Sequence, residues 1–159
     1  MNDTLKAFLK EKALPYEVIT HPQAFTAQQV AHAIHESGKV LAKTIILGAD
    51  DTHVMCVIPA HHKVKLGWVK DILNVKHVGL ADENTMEKLF PDCEVGAMPP
   101  IGPLYNMKVI VSEELAGNPD IIFNACTHRH CVKMAYKDFE NAVNPTVAEI
   151  SDIADQTFS

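Results

Sequence analysis

Val40-Leu41-Ala42-Lys43-Thr44-Ile45-Ile46-Leu47, then Gly48-Ala49-Asp50-Asp51, then His53 to Pro59, is the stretch that decides the fold class. The first run is apolar at both parities, so it reads as a strand covered on both faces. Gly48 to Asp51 is turn chemistry, and the run after it is rich in β-formers. The two runs therefore make a hairpin, and the sheet contains antiparallel pairs. Lys43 is the exception within it. It shares parity with Leu41, Ile45 and Leu47, which puts its stem on an apolar sheet face, where an ammonium without a partner is costly. Two readings stand side by side: a lysine placed for chemistry, or a lysine near a strand end that snorkels to solvent.

Upstream of the hairpin, Thr4 to Lys12 reads as an amphipathic helix with Leu5, Phe8 and Leu9 on one face, stopped by Pro15. Tyr16 to His21 is a strand that Pro22 ends. Thr26 and Gln29 stand at capping-box spacing, with Phe25 and Val30 at hydrophobic-staple spacing. A helix opens there, burying Ala27, Val30, Ala31 and Ile34, with Gly38 as its C-cap. His32 and His35 fall on its polar side. Downstream, the pattern predicts a helix within Lys63 to Leu73 and a strand from Lys76 to Ala81. Asp82 caps a helix through Phe90, and a short strand follows near Glu94-Val95. Lys108 to Ser112 and Asp120 to Ala125 are strands with Gly117-Asn118-Pro119 turning between them. Cys131 to Tyr136 is the hairpin partner of the second, and Asp138 to Asn144 is helical. Thr146 and Glu149 repeat the capping-box spacing and predict a final helix. With no repeat, linker or low-complexity stretch, residues 1–159 read as one α+β domain with a mixed, mostly antiparallel sheet.

Composition sets bounds on function. The chain has 159 residues, 47% hydrophobic and 21% charged, enough for a real core. No apolar run approaches a membrane span, and Met1-Asn2-Asp3-Thr4 begins no signal peptide. Cys56, Cys93, Cys126 and Cys131 follow no framework spacing, which fits free thiols in a reducing compartment and a cytoplasmic location. A net charge of −6 excludes a general nucleic-acid binder. Lys63, Lys65, Lys70 and Lys76 nevertheless cluster against the single acid Asp71. His128-Arg129-His130 with Lys133 and Lys137 forms a second basic group. Such local faces suit contact with a few phosphates.

Gly96-Ala97-Met98-Pro99-Pro100-Ile101-Gly102-Pro103 should be a stiff loop, its prolines fixing φ and its glycines opening dihedrals closed to other residues. The N–H groups of Ala97, Met98, Ile101 and Gly102 cannot all find strand partners in such a bend. Unpaired donors on a rigid loop can hold a carbonyl oxygen or an anion; a plain proline-stiffened surface turn is the alternative. Cys126, His128 and His130 would share a face if a strand ran through them, which suits zinc, but a turn there breaks that parity, so no metal is assigned. His61-His62 reads as a polar turn. No G-x-S-x-G, Walker loop or G-x-G-x-x-G is present, against a triad hydrolase, an NTPase or a dinucleotide enzyme.

From Tyr16 to Phe139 the order of these pieces resembles the YbaK/prolyl-tRNA-synthetase editing-domain family. The resemblance is carried by Lys43-Thr44 in a central strand, by Gly96-x-x-x-Pro100-Ile101-Gly102, and by Ile121-Ile122-Phe123 entering the hairpin before Asp138-Phe139. It implies a compact barrel-like fold with a pocket between the lysine strand and the Gly-Pro loop. The activity it implies is hydrolysis of the ester joining a wrong amino acid to tRNA, with no cofactor. The implied partner is the 3′ end of an aminoacyl-tRNA, with an aminoacyl-tRNA synthetase as an open second one. Lys43 is then the expected catalytic residue. Gly96, Ala97, Met98, Pro100, Ile101, Gly102, Cys126 and His128 are the expected substrate contacts. Pro99, Cys126 and Ser112 depart from the family's usual serine or threonine, glycine and aspartate, which bears on the amino acid selected. A tRNA- or synthetase-binding module without turnover, and a zinc hydrolase on Cys126, His128 and His130, are the competing readings.

Overall fold

A computed structural model describes residues 1–154. In chain order its elements are α1 (Asp3–Glu11), β1 (Glu17–Thr20), α2 (Ala27–Ala33), β2 (Ala42–Ala49), β3 (Thr52–Pro59), β4 (His62–Val64), α3 (Leu66–Leu73), β5 (Val78–Leu80) and α4 (Glu83–Leu89). A 3₁₀ turn at Gly102–Tyr105 leads to β6 (Lys108–Ser112), α5 (Glu113–Ala116), β7 (Asp120–Asn124), β8 (His130–Ala135), α6 (Tyr136–Val143), β9 (Thr146–Ala148) and β10 (Ser151–Ile153). The α+β expectation holds, and no helix among the described residues is long and apolar enough to cross a membrane.

The expected hairpin is the centre of the molecule. β2 and β3 pair antiparallel from Ala42 with Pro59 to Ala49 with Thr52. They sit inside a five-stranded sheet ordered β5-β2-β3-β6-β9, in which β3–β6 and β6–β9 are parallel. β1, β8 and β7 form an antiparallel three-stranded sheet, joined to the first by a bridge between Leu41 and Ile122. The double-sided apolar pattern of the hairpin has its cause in two covered faces. Ala42, Ile46, Met55 and Val57 pack with Phe123, Val132 and Phe139 in the main core. Leu47, Val54, Cys56 and Ile58 pack beneath Val69 of α3 and Ile150. A third cluster seats Val30 and Ala31 of α2 on Leu41, Ile122 and Cys131. Each large side chain buried in this way stabilises by about 1.5–3 kcal/mol.

Several boundaries differ from the sequence reading, each for a tertiary reason. The capping box at Thr26 and Gln29 forms, but the helix ends at Ala33 with Ile34 as its C-cap, and His35 takes the left-handed conformation (φ 57°) expected of Gly38. The predicted helix from Lys63 starts only at Leu66, because β4 is paired with β10. His61-His62 is not a polar turn throughout: His62 is 4% exposed, and its Nδ1 lies 2.8 Å from Ser151 Oγ. Glu94-Val95 is no strand; Glu94 N–H donates instead to the Cys126 carbonyl (2.9 Å). The final helix is absent through residue 154. Thr146–Ala148 is extended beside β6, whose open edge offers main-chain partners that a helix could not satisfy. Residues 155–159 of that expectation lie outside the described part.

Candidate functional site

The site begins as a gap in a strand edge. β5 pairs with β2 only over Leu47–Ala49, and Ala81 N–H closes that ladder on the Ile46 carbonyl at 3.0 Å. β7 reaches the other end of the strand only at Leu41. Main-chain groups alternate sides along an antiparallel strand, so Thr44 turns its N–H and C=O the same way as Ile46. That edge lies between the ends of β5 and β7. A cavity of about 330 Å³ opens there, with Lys43, Thr44, Ile45 and Ile46 as its floor. Gly96 and Met98 form one wall, Leu80, Ala81 and Met86 another, and Phe25, Ala27 and Asn124 complete the rim.

Lys43 is the cationic side chain of this cavity. Burial holds its ammonium below the ordinary lysine pKa. Among the described residues it has no ion-pair partner. A cation so placed is available to an incoming anion or polarised oxygen.

The loop wall is built from beneath. Gly96 adopts φ +88°, a conformation that L side chains rarely adopt. His128 supports it from two directions: its main-chain N–H donates to Glu94 Oε1 (2.8 Å), and its Nε2 lies 2.8 Å from the Val95 carbonyl. The His128 ring also packs against Phe25, the centroids 4.8 Å apart and the rings tilted by 52°; Phe25 stays 62% exposed at the cavity's edge. The capping box that fixes the start of α2 fixes Phe25 too, since Gln29 Oε1 accepts from both Phe25 N–H (3.1 Å) and Thr26 N–H (3.2 Å).

The residues expected from sequence divide between wall and scaffold. Lys43, Gly96 and Met98 meet at the cavity. Ala97 N–H is already satisfied by the Glu94 carbonyl (3.0 Å). Met98, Ile101 and Gly102 N–H find no main-chain or side-chain acceptor among the described residues, and of these only Met98 lines the cavity. Pro100 is buried, and Ile101 belongs to the main core. Gly102 has no room for a side chain, as an added Cβ would fall 2.2 Å from the Met107 carbonyl oxygen. Cys126 also takes a left-handed backbone (φ 72°), its N–H held by the Ala97 carbonyl (2.9 Å), and its thiol sits beside Cys93 rather than on the cavity wall. His128 is a prop beneath the loop rather than a rim donor. The Cys126, His128 and His130 trio does not converge: His130 Nδ1 pairs with Thr127 Oγ1 (2.6 Å), away from the other two. No group of three His, Cys, Asp or Glu side chains among the described residues is placed to hold a metal ion.

Phe25, Thr44, Leu80, Met86 and Asn124 were not expected as site residues. Phe25 carried only a helix-staple signal. Leu80 and Asn124 stand at strand ends, and only the pairing register reveals that those ends flank a gap. Chemically, the cavity joins a desolvated ammonium, an open strand edge, a free N–H at Met98 and an apolar flank. It can hold a carbonyl between donors and test the size of an attached side chain.

Comparison with known proteins sets this geometry in a family. Residues 21–142 match the profile of the aminoacyl-tRNA editing domain. Residues of the chain are 29% identical over 86 positions to a proline–tRNA ligase of Macrococcus caseolyticus, covering 54% of the chain and 15% of that ligase. Another, from Bacillus cereus, is 26% identical over 117 positions, covering 74% of the chain and 19% of the ligase. The chain thus spans less than a fifth of the length of these relatives. Among solved structures, protein APE2540 superposes with a TM-score of 0.86 at 18% identity, covering 94% of this chain and 100% of that one. A candidate trans-editing enzyme for prolyl tRNA synthetase superposes at 0.82 with 17% identity, covering 96% and 99%. These two likenesses describe the fold. With the profile spanning most of its length, the chain belongs to the aminoacyl-tRNA editing domain family.

Proposed function

We propose that this protein is a trans-editing deacylase that hydrolyses the ester of a mischarged aminoacyl-tRNA carrying a small or medium amino acid, with tRNA for proline as the leading candidate. The observation that carries the reading is the cavity itself. In a chain of the editing family, the one desolvated lysine of β2 faces a glycine-opened loop with an unpaired N–H across a gap of about 330 Å³. The prolyl relatives and the prolyl editing neighbour support the choice of tRNA.

An aminoacyl ester is already activated, so orientation, polarisation and access for water suffice. In this reading the ester carbonyl lies against Met98 N–H, and Lys43 holds the neighbouring phosphate or the developing oxyanion. Thr44 main-chain groups orient the amino acid, and Phe25 offers a face on which the terminal base stacks. Water adds to the carbonyl carbon, the ester C–O bond breaks, and the ribose oxygen leaves with a proton. The side chain of the amino acid meets Ala27, Leu80 and Met86. The test is release of labelled amino acid from a panel of aminoacyl-tRNAs under single-turnover conditions. Selective release of small residues supports the reading; tRNA binding without release from any of them would replace it with a non-catalytic module.

A further inference from the structure

Two thiols meet beneath the loop wall of the cavity. Glu94 N–H donates to the Cys126 carbonyl (2.9 Å) and Cys126 N–H to the Ala97 carbonyl (2.9 Å), so the 93–97 segment and residue 126 run side by side. Cys93 is half-buried, and its Sγ lies 3.4 Å from Tyr105 Oη. The Cys126 side chain neighbours the same sulfur, and its influence holds Cys93 below the ordinary thiol pKa despite burial. The same proximity, with burial, pushes Cys126 upward. One member of the pair is therefore the more acidic thiol and keeps an approach from solvent, while the other is its buried neighbour. The thiolate is the form that oxidants attack.

We propose that Cys93 and Cys126 are an oxidation site: under peroxide they form a reversible disulfide that ties the Gly96 loop to the turn between β7 and β8. The Cys93 thiolate attacks the peroxide O–O bond, giving a sulfenic acid and, after protonation, one water. The Cys126 sulfur then displaces the sulfenic oxygen as a second water, its own proton leaving with it. Two thiols are oxidised and one peroxide is reduced to two waters; a dithiol reverses the step. Cys56 and Cys131 are internal controls. Both are fully buried, and burial pushes each thiol up to about 12.

The test is peptide mapping of the whole protein after hydrogen peroxide treatment and blocking of free thiols. The expected product is a Cys93–Cys126 cross-linked peptide, two hydrogens lighter than its parts and lost on dithiothreitol. Cys56 and Cys131 should carry the blocking group. Cys126→Ser should instead leave a Cys93 sulfenic acid that dimedone traps, and Cys93→Ser should leave Cys126 unoxidised. Cys93 advancing to sulfinic acid without a cross-link in the wild type, or cross-links that involve Cys56 or Cys131 as readily, would overturn the proposal. Mapping reads no deacylation, so its result stands apart from the proposed function.

Discussion

His128 Nε2 sits 2.8 Å from the Val95 carbonyl oxygen, one residue before the left-handed Gly96. A carbonyl can only accept, so Nε2 carries the proton, and the buried Nδ1 is left without a partner. The imidazole is thus a brace fixed in one tautomer. His128→Ala should remove the brace and the Phe25 contact, lowering stability by about 1–3 kcal/mol. Hydrogen exchange at Gly96 and Met98 should quicken. His128→Gln can still present an N–H donor and should recover part of the protection. Equal exchange in all three proteins would show that the loop holds itself.

Lys43 should divide activity from stability. Burial lowers its folded pKa below 10.5, so the unfolded chain binds that proton more tightly. Stability should therefore rise with pH between the folded and unfolded values, and the charged lysine costs stability at neutral pH. Lys43→Met should melt higher than wild type yet release amino acid about 10²–10³-fold more slowly. Lys43→Arg should not restore the rate, since a planar fork cannot occupy a compact ammonium's position. Hydrolysis by wild type should fall on the alkaline side before an ordinary lysine would titrate. Thermal melts and single-turnover rates across pH check both halves, and a Lys43→Met protein with an undiminished rate would end the proposed role.

The two motif glycines should fail differently. At Gly102 a new Cβ meets the Met107 carbonyl at 2.2 Å and Val109 Cγ2 at 2.5 Å. Gly102→Ala should cost roughly 3 kcal/mol or more, as overpacking does when the obstacle is backbone. At Gly96 the nearest atom is His128 Cε1 at 3.5 Å, so space is adequate and only the positive φ opposes a side chain. Gly96→Ala should cost about 1–2 kcal/mol and leave a folded protein with a displaced loop. Denaturant midpoints for both variants decide this, and a reversed order would refute the assignment of roles.

Selection by size should reside in Met86 and Leu80, not in Cys126. Met86→Ala enlarges the apolar flank and should extend release toward larger amino acids, each added methylene shifting discrimination by about 1–3 kcal/mol. Cys126→Gly should leave the profile unchanged, because Cys126 does not line the cavity and its thiol neighbours Cys93. A panel of charged tRNAs measured with both variants separates the two. A broadened profile for Cys126→Gly would return that residue to the pocket.

The fold was legible where local chemistry and tertiary need agree. The hairpin from Ala42 to Pro59, the capping box at Thr26, the Asp82 cap and the β7–β8 pair all follow from patterns local in the sequence. The tail did not, because Thr146 and Glu149 carry a helix-start signal that the open edge of β6 overrides. The cavity was half legible. A lysine among Leu41, Ile45 and Leu47 announces itself, and so does a loop of glycines and prolines. What no local pattern conveys is where β5 stops. That register leaves the edge at Thr44 open and brings Leu80 and Met86 to the same place.

Beside the Lys43 side chain, the cavity floor includes the open strand edge at Thr44. The hydrogen-bonding groups at Thr44 are common to every residue type but proline, which lacks the N–H. The apolar flank, in contrast, comes from β5 and α4, whose side chains can change without moving β2. Divergence between related chains can thus alter what is accepted while conserving how it is held. Such a division lets substrate preference drift under selection at little risk to the chemistry.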